Sequence, residues 1–327
     1  MTMASLRIQI LLVPFLASLT SRAQEPAWLQ HFGNNSVNWG MNLAWDGATA
    51  IYGVGTLGSS TIVGDTTINV WGDSDILVSR WDTTGNLVWA RSAGGSCNPG
   101  DFDSGSSAYF TPQSNQLLLS GRFTCIGTQF GSLFLSGSGP TSGVTDRFIA
   151  AYGINGECQW AKSISSFGSL SLGNAPISTD NGGTIFFTGS CRDADVGFGG
   201  SSVLVPAGGF IARYASDGEF ISAERVISNG GLRTATWASP TEWYLCGYAK
   251  PSAALFTTNL TALAAAGDGY VARADTTGNV QWVTMLPATV SADALQTLVL
   301  SDGSCAVSGY FKGDLTLPDD TLEGTPG

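Results

Sequence analysis

Histidine is almost absent from this chain of 327 residues, which carries one, His31, beside 14 Lys and Arg and 25 Asp and Glu. A multi-histidine metal site is thereby excluded, and any Ser–His–Asp or Cys–His nucleophile would have to be built around that single imidazole. Where it stands, at a unit boundary, it reads as a surface or packing residue. Positive charge is also scarce: the formal net charge is −11, the pI is near 4.3, and no Lys/Arg cluster appears. That balance argues against nucleic-acid partners and against attraction to anionic membranes. No C-x-x-C pair occurs among the six cysteines, so a structural zinc site or a thioredoxin-like redox site has little support.

Long helical patterns and long apolar runs are missing too. The longest apolar stretch, "IQILLVPFLASL", follows Arg7, contains Pro14 and leads to the small residues Ser21 and Ala23. It is too short to span a bilayer and has the layout of a signal peptide over residues 1–23, cleaved before Gln24. A secreted or cell-surface protein with no transmembrane segment is expected.

What the chain has in abundance is glycine, 43 residues, and a repeat. The turn glycines Gly85, Gly156, Gly218 and Gly278 align; ten residues before them stand Asp75, Asp146, Gly208 and Asp268, and four after three of them stand Trp89, Trp160 and Trp282. The third unit has Ser222 instead, and Trp28 continues the tryptophan column upstream. A later strand recurs as "IYGVG", "LLLSG", "IFFTG", "WYLCG" and "CAVSG", ending at Gly55, Gly121, Gly189, Gly247 and Gly309. The spacing from Asp146 to Gly208 is 62 residues and from Gly208 to Asp268 is 60. The units are therefore a partial one, 24–74, then 75–145, 146–207, 208–267 and 268–327. Such a period means repeated supersecondary units that cannot bury their faces alone.

Each unit reads as four strands, and strands such as "FIARY" are apolar at nearly every position, which calls for sheets covered on both faces. The duplicated "DTTGNLVW" and "DTTGNVQW" are tight turns, with Asp82 and Asp275 holding the backbone. The recurring strand-end glycine suits a place where another backbone approaches closely. The expected fold is all-β, a β-propeller of four-stranded blades of about 60 residues. The first visible unit lacks its opening strand and the tail stops where another would begin. Continuation of the native chain beyond Gly327 is therefore expected.

The "D-x-[FY]-[IV]-A-[KR]-Y" strand, the "D-x-x-G-N-x-x-W" turn and the "x-x-S-G-x-F" strand resemble the SBBP-type β-propeller repeats of exported bacterial proteins. The resemblance covers nearly all of the mature chain. It implies a secreted or surface-attached propeller, often with a C-terminal sorting domain, and supplies no catalytic residues. The Trp turn is also similar to the tryptophan motif of quinoprotein propellers, but its Asp-to-Gly spacing is one residue short.

Candidate sites are few. "DFDSG" and "DADVG" offer Asp101, Asp103, Asp193 and Asp195 as oxygen ligands for calcium, though neither completes an EF-hand loop. Cys97 with Cys125, or Cys158 with Cys191, is spaced to form a disulfide, and the same thiols equally suit plain burial. Arg80, Arg213 and Arg273 share a column and read as scaffold contacts. "STDNGGT", Ser178 to Thr184, fits a sialidase Asp box once and reads as a turn. No catalytic residue and no cofactor is expected. The functional expectation is a noncatalytic binding, adhesion or scaffold module presenting loops 94–105 and 124–145 to an unknown protein or glycan partner, the alternative being a glycan-active enzyme using carboxylates on the propeller face.

Overall fold

The computed structural model describes residues 39–95, 102–124, 127–137, 145–166, 170–192, 194–317 and 319–324. Residues 1–23, Trp28, His31, Cys97, Asp101, Cys125 and Asp193 lie outside the described residues. All regular elements described are strands, as the sequence leads one to expect, and no helix occurs among them.

The strands fall into antiparallel quartets. The first is β1 (Trp39–Trp45), β2 (Ala50–Leu57), β5 (Asp75–Asp82) and β6 (Leu87–Gly94), with a small hairpin of β3 (Thr61–Val63) and β4 (Thr66–Ile68) before its third strand. The second is β7 (Ser104–Thr111), β8 (Gln116–Thr124), β11 (Thr145–Gly153) and β12 (Cys158–Ser166), with inserted hairpin β9 (Gly127–Phe130) and β10 (Leu133–Ser136). The third is β13 (Leu170–Thr179), β14 (Ile185–Cys191), β17 (Gly208–Tyr214) and the first half of β18 (Phe220–Ser239), with β15 (Ala194–Phe198) and β16 (Ser201–Val205) inserted. The second half of β18 opens the fourth, which continues with β19 (Glu242–Leu255), β21 (Asp268–Asp275) and β22 (Val280–Leu286), the short β20 (Thr258–Asn259) folding onto β19. The chain then makes a pair, β23 (Ser291–Val299) and β24 (Cys305–Lys312), and a last small hairpin, β25 (Leu315–Thr316) with β26 (Thr321–Leu322). Each quartet combines the last two strands of one sequence unit with the first two of the next.

Quartets stack face to face, and the alternation of side chains along a strand divides each third strand between two cores. Phe148, Ala150 and Tyr152 of β11 join Tyr52, Val78 and Trp89 of the first quartet, whereas Ile149 and Ala151 join Phe187, Phe210 and Tyr214 of the third. In the same way Phe210, Ala212 and Tyr214 of β17 face back and Ile211 faces forward. With period-two side chains and both faces buried, every position must be apolar, which is why these strands show no polar alternation.

All five first strands, β1, β7, β13, the second half of β18 and β23, carry a bulge or register irregularity facing an interior stretch of their partner. The recurring glycine sits there. A Cβ at Gly121, Gly247 or Gly309 would run into the carbonyl oxygen of Ser104, Gly231 or Asp293, in each case the residue before the glycine's own partner. A bulge bends the strand and leans that carbonyl over its neighbour, so only glycine fits without displacement.

The inserted hairpins reach back. β9 pairs with β6 of the preceding quartet, and β15 pairs with β12. These two insertions therefore extend the sheet before their own and hold two quartets together.

One cysteine expectation needs correction. Cys158 lies on β12 and Cys191 at the end of β14, in different sheets, and no disulfide joins them. Their sulfurs turn to separate carbonyls, Cys158 Sγ to Trp160 O (3.4 Å) and Cys191 Sγ to Val205 O (3.5 Å).

Candidate functional site

The bulge in β18 makes Arg233 the extra residue between Leu232 and Thr234, turned out of the ladder with Gly247 and Cys246. Its guanidinium meets the carboxylate of Asp293 on β23, the next first strand: Nη2 donates to Oδ2 at 2.6 Å, and Nε donates to Oδ2 at 3.0 Å and to Oδ1 at 3.2 Å. The pair is mostly withdrawn from water, with side-chain exposures of 19% for Arg233 and 6% for Asp293. Burial pushes the Asp293 carboxyl upward, an effect that the guanidinium only partly offsets. Arg233 stays a firm cation, since the bonded carboxylate outweighs its own desolvation.

Around this pair opens a cavity of about 250 Å³, lined also by Tyr248, Lys250, Ser291 and Tyr310. The Arg233 guanidinium lies over the Tyr248 ring, 5.2 Å from its centroid, which adds a cation–π contact to the ion pair. Lys250 forms no ion pair, and Arg233 Nη1 has no hydrogen-bond partner among the described residues. In a chain of net charge −11, the cavity thus gathers two cations against one carboxylate. Two phenols and a hydroxyl complete a lining rich in donors.

The residues singled out from the sequence sit elsewhere. Trp89 and Trp160 are buried between quartets; their indole N–H groups donate to Ile154 O (2.8 Å) and Ser216 O (3.1 Å), and their rings cover Gly156 and Gly218 in the next quartet's turn. Gly85, Gly156, Gly218 and Gly278 have φ between 81° and 86°, the left-handed region that these turns require. In the unit with Ser222, the ring of Phe256 covers Gly278 instead, and Trp243 Nε1 donates to Asp275 O at 3.1 Å. Arg80 Nη1 donates to Ile154 O (3.1 Å), Arg213 pairs with Glu224 and Arg273 with Glu242.

Asp180 of the single Asp box accepts the N–H groups of Gly182 (2.9 Å) and Thr184 (2.8 Å), the turn geometry that Asp46 adopts with Ala48 and Ala50. Asp103 is buried, its carboxylate taken by Thr124 N (3.1 Å) and by the Thr128 hydroxyl, while Asp195 is exposed on β15. No group of three or more His, Cys, Asp or Glu among the described residues is arranged to hold a metal ion. Burial pushes the Cys158 thiol up to about 12 and the Cys246 thiol up as well, so neither is a thiolate near neutral pH. No helix among the described residues is long and apolar enough to cross a membrane.

No family model matches the chain, and no curated protein matches it in sequence. Among solved structures, it is similar to a protein of unknown function from Bacteroides caccae, with TM-score 0.37, 11% identity and coverage of 76% of this chain and 69% of that one. It is also similar to a chimera of ACO and RPE65 (TM-score 0.40, 11% identity, 80% of this chain and 52% of that one). A single-site mutant of Synechocystis apocarotenoid oxygenase gives TM-score 0.37 and 12% identity, again over 80% and 52%. The chain spans about half the length of these two.

The functional expectation is corrected on two findings. Of the similar structures named above, one is an apocarotenoid oxygenase and one an ACO/RPE65 chimera, and none is named as an adhesin or a glycosidase; at these scores the likeness assigns no chemistry to this chain. The loops expected to reach a partner are, where described, parts of the body: residues 104–105 begin β7, and residues 127–136 form the hairpin fastened to β6.

Proposed function

We propose that the chain is an exported β-propeller of the SBBP type, with the quartets as blades, and that its working site is the Arg233–Asp293 cavity, where it binds a small anionic molecule such as a carboxylate or phosphate. The propeller reading is supported by the first strands: β7 packs against β1, β13 against β7, and β23 against β18, so the quartets share one side of the molecule for their opening strands. The site reading rests on one observation, the pairing of an ion-paired arginine with an unpaired lysine in a cavity lined by tyrosines. Arg233 is held rigid by Asp293 and Tyr248, with Nη1 left over, and so offers an anion a pre-positioned donor. Lys250 supplies the second charge.

Isothermal titration of the full chain with phosphate, acetate and succinate tests this. At least one of these anions is expected to bind at millimolar concentration and raise the melting temperature. Lys250→Ala is expected to weaken that binding about tenfold, ~1.4 kcal/mol, without changing the melting temperature of the free protein, because the Lys250 side chain forms no ion pair or hydrogen bond among the described residues. Absence of any response to the three anions, or unchanged binding by the variant, would contradict the assignment.

A further inference from the structure

In all four quartets the second strand lies between two others, and its register with the third strand is the same each time. Gly55 faces Leu77, Gly121 faces Phe148, Gly189 faces Phe210 and Gly247 faces Tyr270. The glycine therefore always meets the residue two positions after Asp75, Asp146, Gly208 or Asp268. β24 carries the equivalent Gly309, yet among the described residues it pairs with β23 alone.

Beside that unpaired edge runs an apolar groove of about 330 Å³, walled by Val271, Trp282 and Leu286 of the fourth quartet and by Val307 and Phe311 of β24. At the other junctions the corresponding space is filled by alternate residues of a third strand: Phe148, Ala150 and Tyr152 in one, Phe210, Ala212 and Tyr214 in the next, Tyr270, Ala272 and Ala274 in the third. A third feature agrees. Trp282 is half-buried and its indole N–H has no acceptor among the described residues, whereas Trp89 and Trp160 each donate to a carbonyl two residues before the following quartet's turn glycine.

We propose that the β24 edge and this groove bind an extended peptide of the repeat's own third-strand type, one with a large residue at its third position, alanine at its fifth and a glycine turn behind. Such a strand adds antiparallel, its third residue opposite Gly309 and its first opposite Phe311. Its third, fifth and seventh side chains fill the groove, and its turn places a carbonyl on the Trp282 N–H. Backbone hydrogen bonds along the edge supply affinity, and the spacing of the groove supplies selectivity. The template is internal to the molecule, because four second strands show this pairing and β24 is the second strand that lacks it among the described residues. Neither Arg233 nor Lys250 is called on, although the groove and the anion cavity share Ala292, Asp293 and Tyr310 as lining.

The test uses the full chain and the synthetic peptide "DGYVARADTTGN", the sequence of residues 268–279. Hydrogen exchange by NMR is expected to show alternate β24 amides slowed by the peptide, and not by a scrambled peptide or by one with proline at its fifth position. Trp282→Phe keeps an aromatic ring, though a smaller one, and removes the N–H, and is expected to weaken binding at least about fivefold, the worth of one hydrogen bond near 1 kcal/mol. Three results would overturn the proposal: no slowing by the peptide, β24 amides already slow in the free monomer, or a dimer in which a second copy covers the edge and the peptide cannot compete.

Discussion

Asp82 accepts four hydrogen bonds within five residues, from the N–H and hydroxyl of Thr84 and from the N–H and side-chain amide of Asn86, at 2.7–2.9 Å. The Thr84 hydroxyl and the Asn86 amide lead in lowering its pKa to about 2, from an ordinary 3.8. The carboxylate form is thus favoured by folding, and that stability is present above pH 3.8 and is lost as the pH falls toward 2. Asp46, Asp275 and Asp302 are lowered by the same kind of turn bonding, so the acid limb of the stability curve should lie in that window. An NMR titration is expected to place the Asp82 midpoint near 2, and Asp82→Asn should flatten the fall in stability between pH 4 and pH 2. These turns were legible because an Asx turn is written in a few adjacent letters. The Arg233–Asp293 pair was not. Its partners stand 60 residues apart on first strands whose sequences do not recur in columns, and Arg233 owes its direction to a bulge that no local pattern announces.

At the scale of elements, the tryptophans link one quartet to the turn of the next, and their surroundings separate them. Trp89 and Trp160 are 7% and 8% exposed, with their N–H groups satisfied, whereas Trp282 borders the open groove. Replacing Trp89 or Trp160 by Ala should cost ~3–5 kcal/mol, the range for large aromatic deletions from cores. Trp282→Ala should cost less than half as much, since fewer atoms pack around it. Urea unfolding of the three variants measures the difference, and equal losses would contradict this division. The sequence expectation made the three equivalent, because a column carries no information about whether its neighbour is present. Third strands were readable from their unbroken apolar runs. The hairpin of β9 and β10 was read as loop, because its partner β6 belongs to the preceding quartet and nothing within the hairpin itself points there.

For the whole molecule, the central claim is that third strands are shared between two cores, so that the stack is held together by β11, β17 and β21 rather than by the edges. Each of these strands is buried at nearly all positions, and each divides its side chains between successive clusters. The reach-back hairpins add a second link at the periphery, where β10 and β16 have one neighbour each. Opening of the structure should then begin at those outer strands and at β24, and reach the third strands last, since local stability follows buried apolar contact. Native-state hydrogen exchange across the whole chain tests this most directly. The account predicts the slowest amides in β11, β17 and β21, with β10, β16 and β24 faster by orders of magnitude; third strands that exchange as fast as the outer hairpins would contradict it.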